Sequence, residues 1–299
     1  MKPEILTKDV LLFKNAIEDP QKWMDIINAS KTNQDEILGN WEIWPPWGFG
    51  SKVQVHLGGG EFNEASGDGK WLIEQSLDKF WEALTYYKNN ILNEELFTRF
   101  GAPHQIPESC AEEKNPAINP FGWCHADVAV YESLDTPEER PLSMEWHVDR
   151  RDWFGAVRHM LTFNLYPNDD YIGGEISFID IEGAEEKFDS EGRKYYLVDK
   201  PITYKPEAGD ALLFRADVFH SVEKVIGNKF YVRQFLTAPF TDEYHAEQAK
   251  YTDEEWVAHL AKIDKEGLKG FPFQMLLYDN LDQVAWHNAE LRTICVLKD

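Results

Sequence analysis

The chain has 299 residues, 53 of them acidic and 30 basic, and its formal net charge of -23 repels polyphosphate, which excludes a long nucleic-acid groove. Three widely spaced cysteines, Cys110, Cys124 and Cys295, exclude a disulfide framework and indicate a reducing compartment. The start lacks an apolar signal core and no apolar run could cross a membrane, so we expect a cytoplasmic protein that binds neither membranes nor nucleic acid.

Residues 1–124 are predicted to form a helix-rich region that packs on the core. Thr7 to Asn28 favours a short strand and then a helix, and Lys70 to Leu92 favours a longer helix. The apolar residues of the longer helix recur every three or four positions and form one stripe, made of Trp71, Leu77, Phe80, Trp81, Leu84 and Tyr87. Between the two helices, the aromatic and proline-rich stretch Trp41 to Gly50 is expected to brace the core or to form a lid.

Residues 125–240 are predicted to form a mainly β core, and this segment opens with the pair His125 and Asp127. A His-x-Asp pair places two potential metal ligands on the same side of a strand. Because the residues that follow, Val128 to Tyr131, favour a strand, we interpret this first pair as the start of a strand. His125 and Asp127 are nevertheless the alternative candidates for metal ligands.

A second His-x-Asp pair, His147 and Asp149, is followed 73 residues later by His220. Two imidazoles and one carboxylate are the facial triad of non-haem iron(II) oxygenases, which leaves coordination positions open for catalysis. A closed structural zinc site would instead need four protein ligands. We therefore predict that His147, Asp149 and His220 are both the metal ligands and the catalytic centre.

Short strands separated by turns surround these three residues. Leu161 to Tyr166 and Ala211 to Phe214 are predicted to be strands, and Gly173 to Ile179 is predicted to be a turn that leads into a strand. Further strands, Val222 to Val225 and Lys229 to Leu236, flank Ile226-Gly227-Asn228, which predicts a tight hairpin between them. This pattern without helical periodicity indicates an all-β sandwich or barrel.

Residues 241–299 are predicted to form a helical extension. Thr252 and Glu255 have the spacing of a capping box, and apolar residues at helical spacing follow as far as Gly267. A second helix is predicted from Leu281 to Leu291. Because no internal repeat or low-complexity linker interrupts the sequence, the three regions are expected to form a single domain.

Five motifs in this order resemble those of the 2-oxoglutarate/iron(II)-dependent dioxygenases, and within them the prolyl 4-hydroxylase-like branch. The matching pieces are His147-x-Asp149, Thr162-x-x-x-Tyr166, Gly173-Gly174-Glu175-Ile176-Ser177-Phe178, Pro206-x-x-Gly209-Asp210-Ala211-Leu212-Leu213-Phe214 and His220-x-Val222-x-x-Val225, followed by Gly227-x-Lys229. The resemblance covers roughly a third of the chain. It implies a double-stranded β-helix, or jelly-roll, core with flanking helices. It also implies iron(II) as cofactor, with 2-oxoglutarate and dioxygen as cosubstrates.

The far carboxylate of 2-oxoglutarate would need a cation inside the jelly roll, and there are two candidates. Lys229 aligns with the basic position of the family motif, where arginine is commoner. Arg233 shares a strand face with Lys229 about 13 Å further along and offers a two-pronged fork. The resemblance further implies that the Tyr166 hydroxyl donates to the same carboxylate and that Tyr131 lines the cosubstrate pocket.

The predicted activity is hydroxylation of an unactivated C–H bond, in a prolyl or other amino-acid residue that is free or part of a peptide. The alternatives are a hydroxylase of a small metabolite, a cupin-like jelly roll that binds metal without 2-oxoglutarate, and a non-catalytic binding module. Asp149 argues against a halogenase, because those relatives lack the carboxylate. The sequence leaves the substrate and the oligomeric state open.

Overall fold

A computed structural model describes most of the chain. The described residues are 1–32, 42–44, 52–56, 67–91, 125–132, 142–149, 152–153, 156–157, 161–181, 183–236, 246–252, 255–256, 259, 274–288 and 292–298. Most of the aromatic stretch between the helices and the end of the helix predicted after Thr252 lie outside these residues.

Two large β-sheets form the body of the protein. The first sheet contains β1 (Glu4–Thr7), β2 (Val10–Phe13), β3 (Glu42–Trp44), β4 (Lys52–His56), β5 (His125–Glu132), β9 (Leu161–Leu165), β15 (Ala211–Arg215) and β17 (Asn228–Leu236). The second contains β6 (Leu142–His147), β10 (Ile172–Gly173), β11 (Ile176–Ile179), β12 (Glu185–Phe188), β13 (Lys194–Val198), β14 (Ile202–Tyr204), β16 (Phe219–Ile226), β18 (Gln274–Tyr278) and β19 (Arg292–Leu297). The short strands β7 (Asp152–Trp153) and β8 (Ala156–Val157) pair with each other.

Eight of these strands form a jelly roll. In the first sheet β5 pairs with β17 and β9 with β15, and in the second β6 pairs with β16 and β11 with β14. The pairs are nested, because the first of the eight strands pairs with the last, the second with the seventh, and so on inwards. Nested antiparallel pairing across two sheets is the topology of a double-stranded β-helix. The predicted mainly β fold with a jelly-roll core is therefore confirmed.

Two helices, α1 (Pro20–Thr32) and α2 (Gly67–Asn90), cover the outer face of the first sheet. The apolar stripe of α2 is buried there, and the Phe80 ring lies 5.5 Å from the Phe163 ring of β9. The Gln234 side chain of β17 also donates a hydrogen bond to the Ser76 hydroxyl of α2. Both helices pack on the outside of the jelly roll, as their periodicity predicts. Among the described residues, no helix is long and apolar enough to span a membrane.

The inner face of the first sheet packs against the second sheet. Because side chains alternate along a strand, Ala211 and Leu213 of β15 face the helices while Leu212 and Phe214 face the interior. Most of this inter-sheet core is aromatic or branched aliphatic, and it contains Val10, Leu12, Tyr166, Tyr171, Ile176, Phe178, Leu212, Phe214, Val218, Val222, Val225 and Tyr231. On β17 the inward side chains are therefore those of the odd-numbered residues.

The hairpin predicted around Ile226-Gly227-Asn228 is wrong. β16 ends at Ile226 and β17 begins at Asn228, but β16 pairs with strands of the second sheet and β17 with strands of the first. Gly227, with φ of 97°, is a corner at which the chain crosses from one sheet to the other. The sequence does predict a tight turn at this point, but a tight turn does not determine whether the strands on either side pair.

The second half of the predicted helical extension, residues 241–299, is also wrong. Instead of a helix from Leu281 to Leu291, there are 3₁₀ turns at Leu281–Gln283 and Trp286–Asn288, followed by β19. β18 and β19 run parallel and join the second sheet beside β6. Apolar runs of only five or six residues fit a helix or a strand equally well. Here they form strands because they can pair with the open edge of the second sheet.

The start of the helix predicted after Thr252 has the expected capping box. The Thr252 backbone N–H donates to the Glu255 carboxylate at 2.9 Å, and the Glu255 N–H donates to the Thr252 hydroxyl at 3.4 Å. Trp256 in the first turn is buried. This part of the prediction is confirmed as far as the described residues extend.

Gly173→Ala tests the tight approach of β10 to β16. Gly173 has φ of 70°, and a Cβ there would lie 2.0 Å from the Lys224 carbonyl oxygen. Because that oxygen is backbone, we expect the free energy of unfolding to fall by at least about 3 kcal/mol. Gly192 is the matched control, since its φ is 77° but nothing lies near it, and Gly192→Ala should cost only about 1–2 kcal/mol. Equal losses in urea unfolding would contradict the close approach.

Candidate metal centre

The three predicted ligands meet at one end of the second sheet. His147 is the last residue of β6, Asp149 follows two residues later, and His220 lies near the start of β16. β6 and β16 are neighbours, and His147 and His220 are directly opposite each other in the register. Their ring centroids are 4.1 Å apart. Strand pairing thus brings together imidazoles that are far apart in the sequence.

Each imidazole is oriented by the backbone two residues before it. His147 Nδ1 lies 2.8 Å from the Glu145 carbonyl oxygen, and His220 Nδ1 lies 3.1 Å from the Val218 carbonyl oxygen. Because a carbonyl can only accept, both Nδ1 atoms carry the proton and both Nε2 atoms keep a lone pair. An Nδ1–H held in this way is the usual orientation of a metal-binding histidine.

Asp149 completes the group, because its carboxylate approaches both rings. One of its oxygens lies 3.8 Å from His147 Nε2 and the other lies 3.6 Å from His220 Nε2. The buried Thr162 hydroxyl of β9 donates to the carboxylate at 2.8 Å and holds its plane. Thr162 thereby connects the first sheet to the metal centre.

The electrostatics of the centre favour the ligand forms of both residue types. Burial, followed by the neighbouring His220, lowers the pKa of His147 to about 3, so its ring is neutral at physiological pH. Burial opposes the ionisation of Asp149, but His220, His147 and Arg233 nearby hold its pKa well below the usual range. A neutral imidazole and an ionised carboxylate are the states that coordinate a divalent metal.

The geometry of the donor atoms fits a single metal ion. One potential donor atom from each of the three residues lies within 4.8 Å of the other two. Two metal bonds of about 2.1 Å can bridge the separations between Asp149 and each Nε2. His147 is 13% exposed, Asp149 10% and His220 6%, so the protein would largely shield the ion from solvent. Two nitrogens and one oxygen suit iron(II) and leave further positions open.

Lys229 lies in the interior, on the inward face of β17. It is 1% exposed, its ammonium donates to the Gly174 carbonyl oxygen, and the Tyr166 and Tyr171 ring centroids lie 5.2 and 5.6 Å away. Burial lowers the pKa of Lys229 to about 7; Glu175 acts in the opposite direction and Lys205 adds to the lowering. Tyr166 is 2% exposed, and its hydroxyl accepts a hydrogen bond from the Asn164 carboxamide at 3.4 Å.

Arg233 shares the inward face of β17 with Lys229, but it lies closer to the metal centre. Its positive charge contributes to the lowered pKa of both His147 and Asp149. Its guanidinium stands 4.6 Å from the Phe235 ring centroid. The two candidate cations therefore occupy different ends of the interior. Lys229 is enclosed by tyrosines, and Arg233 adjoins the predicted ligands.

Other predicted site residues are placed by the register of β5. Tyr131 lies opposite Lys229, while the competing pair His125 and Asp127 lies opposite Phe235 and Arg233. The side chains of β5 are outside the described part of the chain. The segment from His125 is a strand, as predicted.

Two interior residues were not assigned roles from the sequence. Thr162 and Asn164 lie four and two positions before Tyr166, so the period of two on β9 places all three on the same face. That alternation could have identified them, because a buried strand with a threonine and an asparagine on its inner face is unusual.

Neither the family models nor the curated proteins include a match to this chain. Among solved structures, a Pseudomonas putida prolyl-4-hydroxylase is 13% identical with a TM-score of 0.45, covering 79% of this chain and 96% of that one. A Trichoplax adhaerens prolyl hydroxylase in complex with a hypoxia inducible factor peptide is 12% identical with a TM-score of 0.45, covering 83% and 89%. A putative oxygenase from Shewanella oneidensis is 11% identical with a TM-score of 0.46, covering 88% and 92%. At this identity the similarity concerns the fold, and functional inference depends on the side chains of the site.

Replacing any one ligand should abolish tight metal binding. We expect His147→Ala, Asp149→Ala and His220→Ala each to weaken iron(II) binding by at least about 100-fold in anaerobic titration, because two donors cannot replace three. His287→Ala, an exposed histidine in a 3₁₀ turn, is the matched control and should bind like the parent. Parent affinity in all three ligand variants would refute the assignment and return His125 and Asp127 to consideration.

Proposed function

We propose that the protein is a 2-oxoglutarate- and iron(II)-dependent dioxygenase that hydroxylates an unactivated C–H bond. The observation that carries the proposal is the convergence of His147 Nε2, His220 Nε2 and the Asp149 carboxylate at one end of a jelly roll that also buries a lysine. His147, Asp149 and His220 would hold the metal. Iron(II) with bound 2-oxoglutarate and dioxygen supplies the oxidant for hydroxylation and yields succinate and carbon dioxide.

Lys229 supports a dicarboxylate cosubstrate. Within the described part of the chain its ammonium forms no ion pair, and its hydrogen bond goes to a neutral carbonyl. A buried charge without an opposite charge nearby is costly. An anion that binds beside Lys229 would supply the opposite charge that the described residues do not. The Tyr166 hydroxyl lies on the same face and can donate to that anion. We therefore assign the far carboxylate of 2-oxoglutarate to Lys229 and Tyr166, and Tyr131 to the wall of this pocket.

The substrate is proposed to be a prolyl or other amino-acid residue, free or in a peptide, with a small metabolite as the second candidate. A cupin-like metal site without 2-oxoglutarate would leave Lys229 and Tyr166 without a role. The acidic composition suits a neutral or basic partner better than a polyanion.

The test is a screen of amino acids, peptides and small metabolites with the iron-loaded protein. A substrate should stimulate succinate release and gain the mass of one oxygen atom in matched amount. If succinate is released but no candidate stimulates its release, the protein would still be a 2-oxoglutarate-dependent dioxygenase, but the proposed substrates would be wrong. An absence of both 2-oxoglutarate binding and succinate would refute the proposal.

Lys229→Ala should weaken 2-oxoglutarate use far more than Arg233→Ala. Losing the charge-assisted contact in the interior should raise the apparent KM by at least about 30-fold, or about 2 kcal/mol, and iron affinity should change little. Arg233→Ala should instead release succinate without matched product. Succinate release measured against 2-oxoglutarate concentration separates the two, and the reverse ranking would assign the carboxylate to Arg233.

The affinity for 2-oxoglutarate should depend on pH through Lys229. Since its pKa in the free protein is about 7, the lysine is charged below that pH and loses its proton above it. The dicarboxylate needs the charged form, so its Kd should rise about tenfold from about pH 6 to about pH 8. Lys229→Arg, which stays protonated, should remove this dependence in anaerobic binding titrations. Parallel pH profiles for the parent and Lys229→Arg would contradict the assignment.

A further inference from the structure

A row of polar residues crosses the first sheet in register next to the candidate metal centre. In the register, Arg233 of β17 lies opposite Asn164 of β9 on one side and Asp127 of β5 on the other, and Asp127 lies opposite His56 of β4. These four positions, here called the polar row, cross four neighbouring strands. The next inward pair towards the metal is Phe235 and Thr162, and Thr162 donates to Asp149.

Asn164 indicates that the polar row receives a ligand. Its side chain is 7% exposed, and its Nδ2 donates to the Tyr166 hydroxyl. Its Oδ1 is buried and accepts no hydrogen bond from any residue that the structure describes. A buried carbonyl oxygen without a donor costs stability, because the hydrogen bonds it made with water are not replaced. A ligand that brings an N–H or O–H to this point would recover that cost.

Arg233 supplies the second contact. It faces inward opposite Asn164, so their Cβ atoms are about 5 Å apart, close enough for one small group to touch both side chains. Its guanidinium can hold a carboxylate with two parallel hydrogen bonds. Arg233 is also less deeply buried than Lys229, and it lies at the end of β17 that adjoins the metal centre. The pair therefore presents a carboxylate-binding fork beside an acceptor for an N–H.

Neither carboxylate of the cosubstrate requires Arg233 under the proposed function. Lys229 and Tyr166 already match one carboxylate of the cosubstrate, and the metal would chelate its keto-acid end. A carboxylate at Arg233 consequently belongs to a different molecule.

We propose that Arg233 and Asn164 bind the free α-carboxylate and the adjacent N–H of an amino-acid substrate. This inference rests on the proposed function and narrows its substrate class to free amino acids or the C-terminal residue of a peptide. Arg233 is the specificity-determining residue, since it distinguishes a carboxylate from an amide or an internal peptide bond. Asn164 fixes the orientation of the same group.

The experiment compares each of the twenty L-amino acids with its carboxamide in the iron-loaded protein. Short peptides with free or amidated C-termini form a second arm that distinguishes the two sources of the carboxylate. A free acid should stimulate succinate release with matched hydroxylated product about 100-fold better, in kcat/KM, than its amide. In Arg233→Gln that ratio should approach one, and Arg233→Lys should retain part of it. Arg193→Gln, in the turn between β12 and β13, is the matched control and should keep the parent ratio.

A binding measurement checks the result without turnover. The best free acid is titrated calorimetrically into protein loaded with zinc(II) and 2-oxoglutarate, and Arg233→Gln should weaken its binding about 100-fold while leaving that of the amide little changed. Equal use of acid and amide by the parent, or an unchanged ratio in Arg233→Gln, would overturn the proposal. So would a loss of 2-oxoglutarate affinity in Arg233→Gln as large as that in Lys229→Ala. Slow succinate release that no acid stimulates overturns this inference alone, whereas no 2-oxoglutarate binding overturns the proposed function as well.

Discussion

The pairing of β6 with β16 is the constraint on which the centre depends. It places His147 directly opposite His220 and brings the two rings to 4.1 Å. Backbone carbonyls then fix both Nδ1 atoms, and Thr162 fixes Asp149 from the other sheet. A slip of one residue in this register would turn one imidazole to the opposite face of the sheet. The nested strand order of the jelly roll, with two helices behind the first sheet, holds that register.

The second constraint is the cost of polar groups in the interior. A jelly roll of this size can fill its interior with aromatic and aliphatic side chains, and most of this one does. Its inner face nevertheless holds a lysine that makes no described ion pair and an asparagine oxygen that receives no described hydrogen bond. Both features cost stability in the free protein, and ligands between the sheets would account for them, with an anion beside the lysine and an N–H or O–H donor beside the asparagine oxygen. Tyr166, which accepts from Asn164 and faces Lys229, joins the two sites.

The order of short motifs predicted that His147, Asp149 and His220 lie together and that the core is a jelly roll, and the apolar period predicted the outer helices. The sequence did not reveal which strands pair. Gly227 was identified as a turn, but it joins two sheets. The strands β18 and β19 were not predicted within the helical extension, because their pairing depends on an open sheet edge far away in the chain. Asn164 lies opposite Arg233 because of the register between β9 and β17, and residue spacing within a single strand does not predict that register.

The central claim is that one iron(II) ion and one 2-oxoglutarate bind together at His147, Asp149 and His220. Anaerobic absorption spectroscopy tests it most directly, because direct chelation of iron(II) by a 2-oxo acid produces a visible charge-transfer band. Adding 2-oxoglutarate to the iron-loaded protein should produce this band and saturate it at one equivalent of each component. Succinate, which lacks the 2-oxo group, should not produce it. An iron-loaded protein that shows no band with 2-oxoglutarate, or the same spectrum with succinate, would contradict the account.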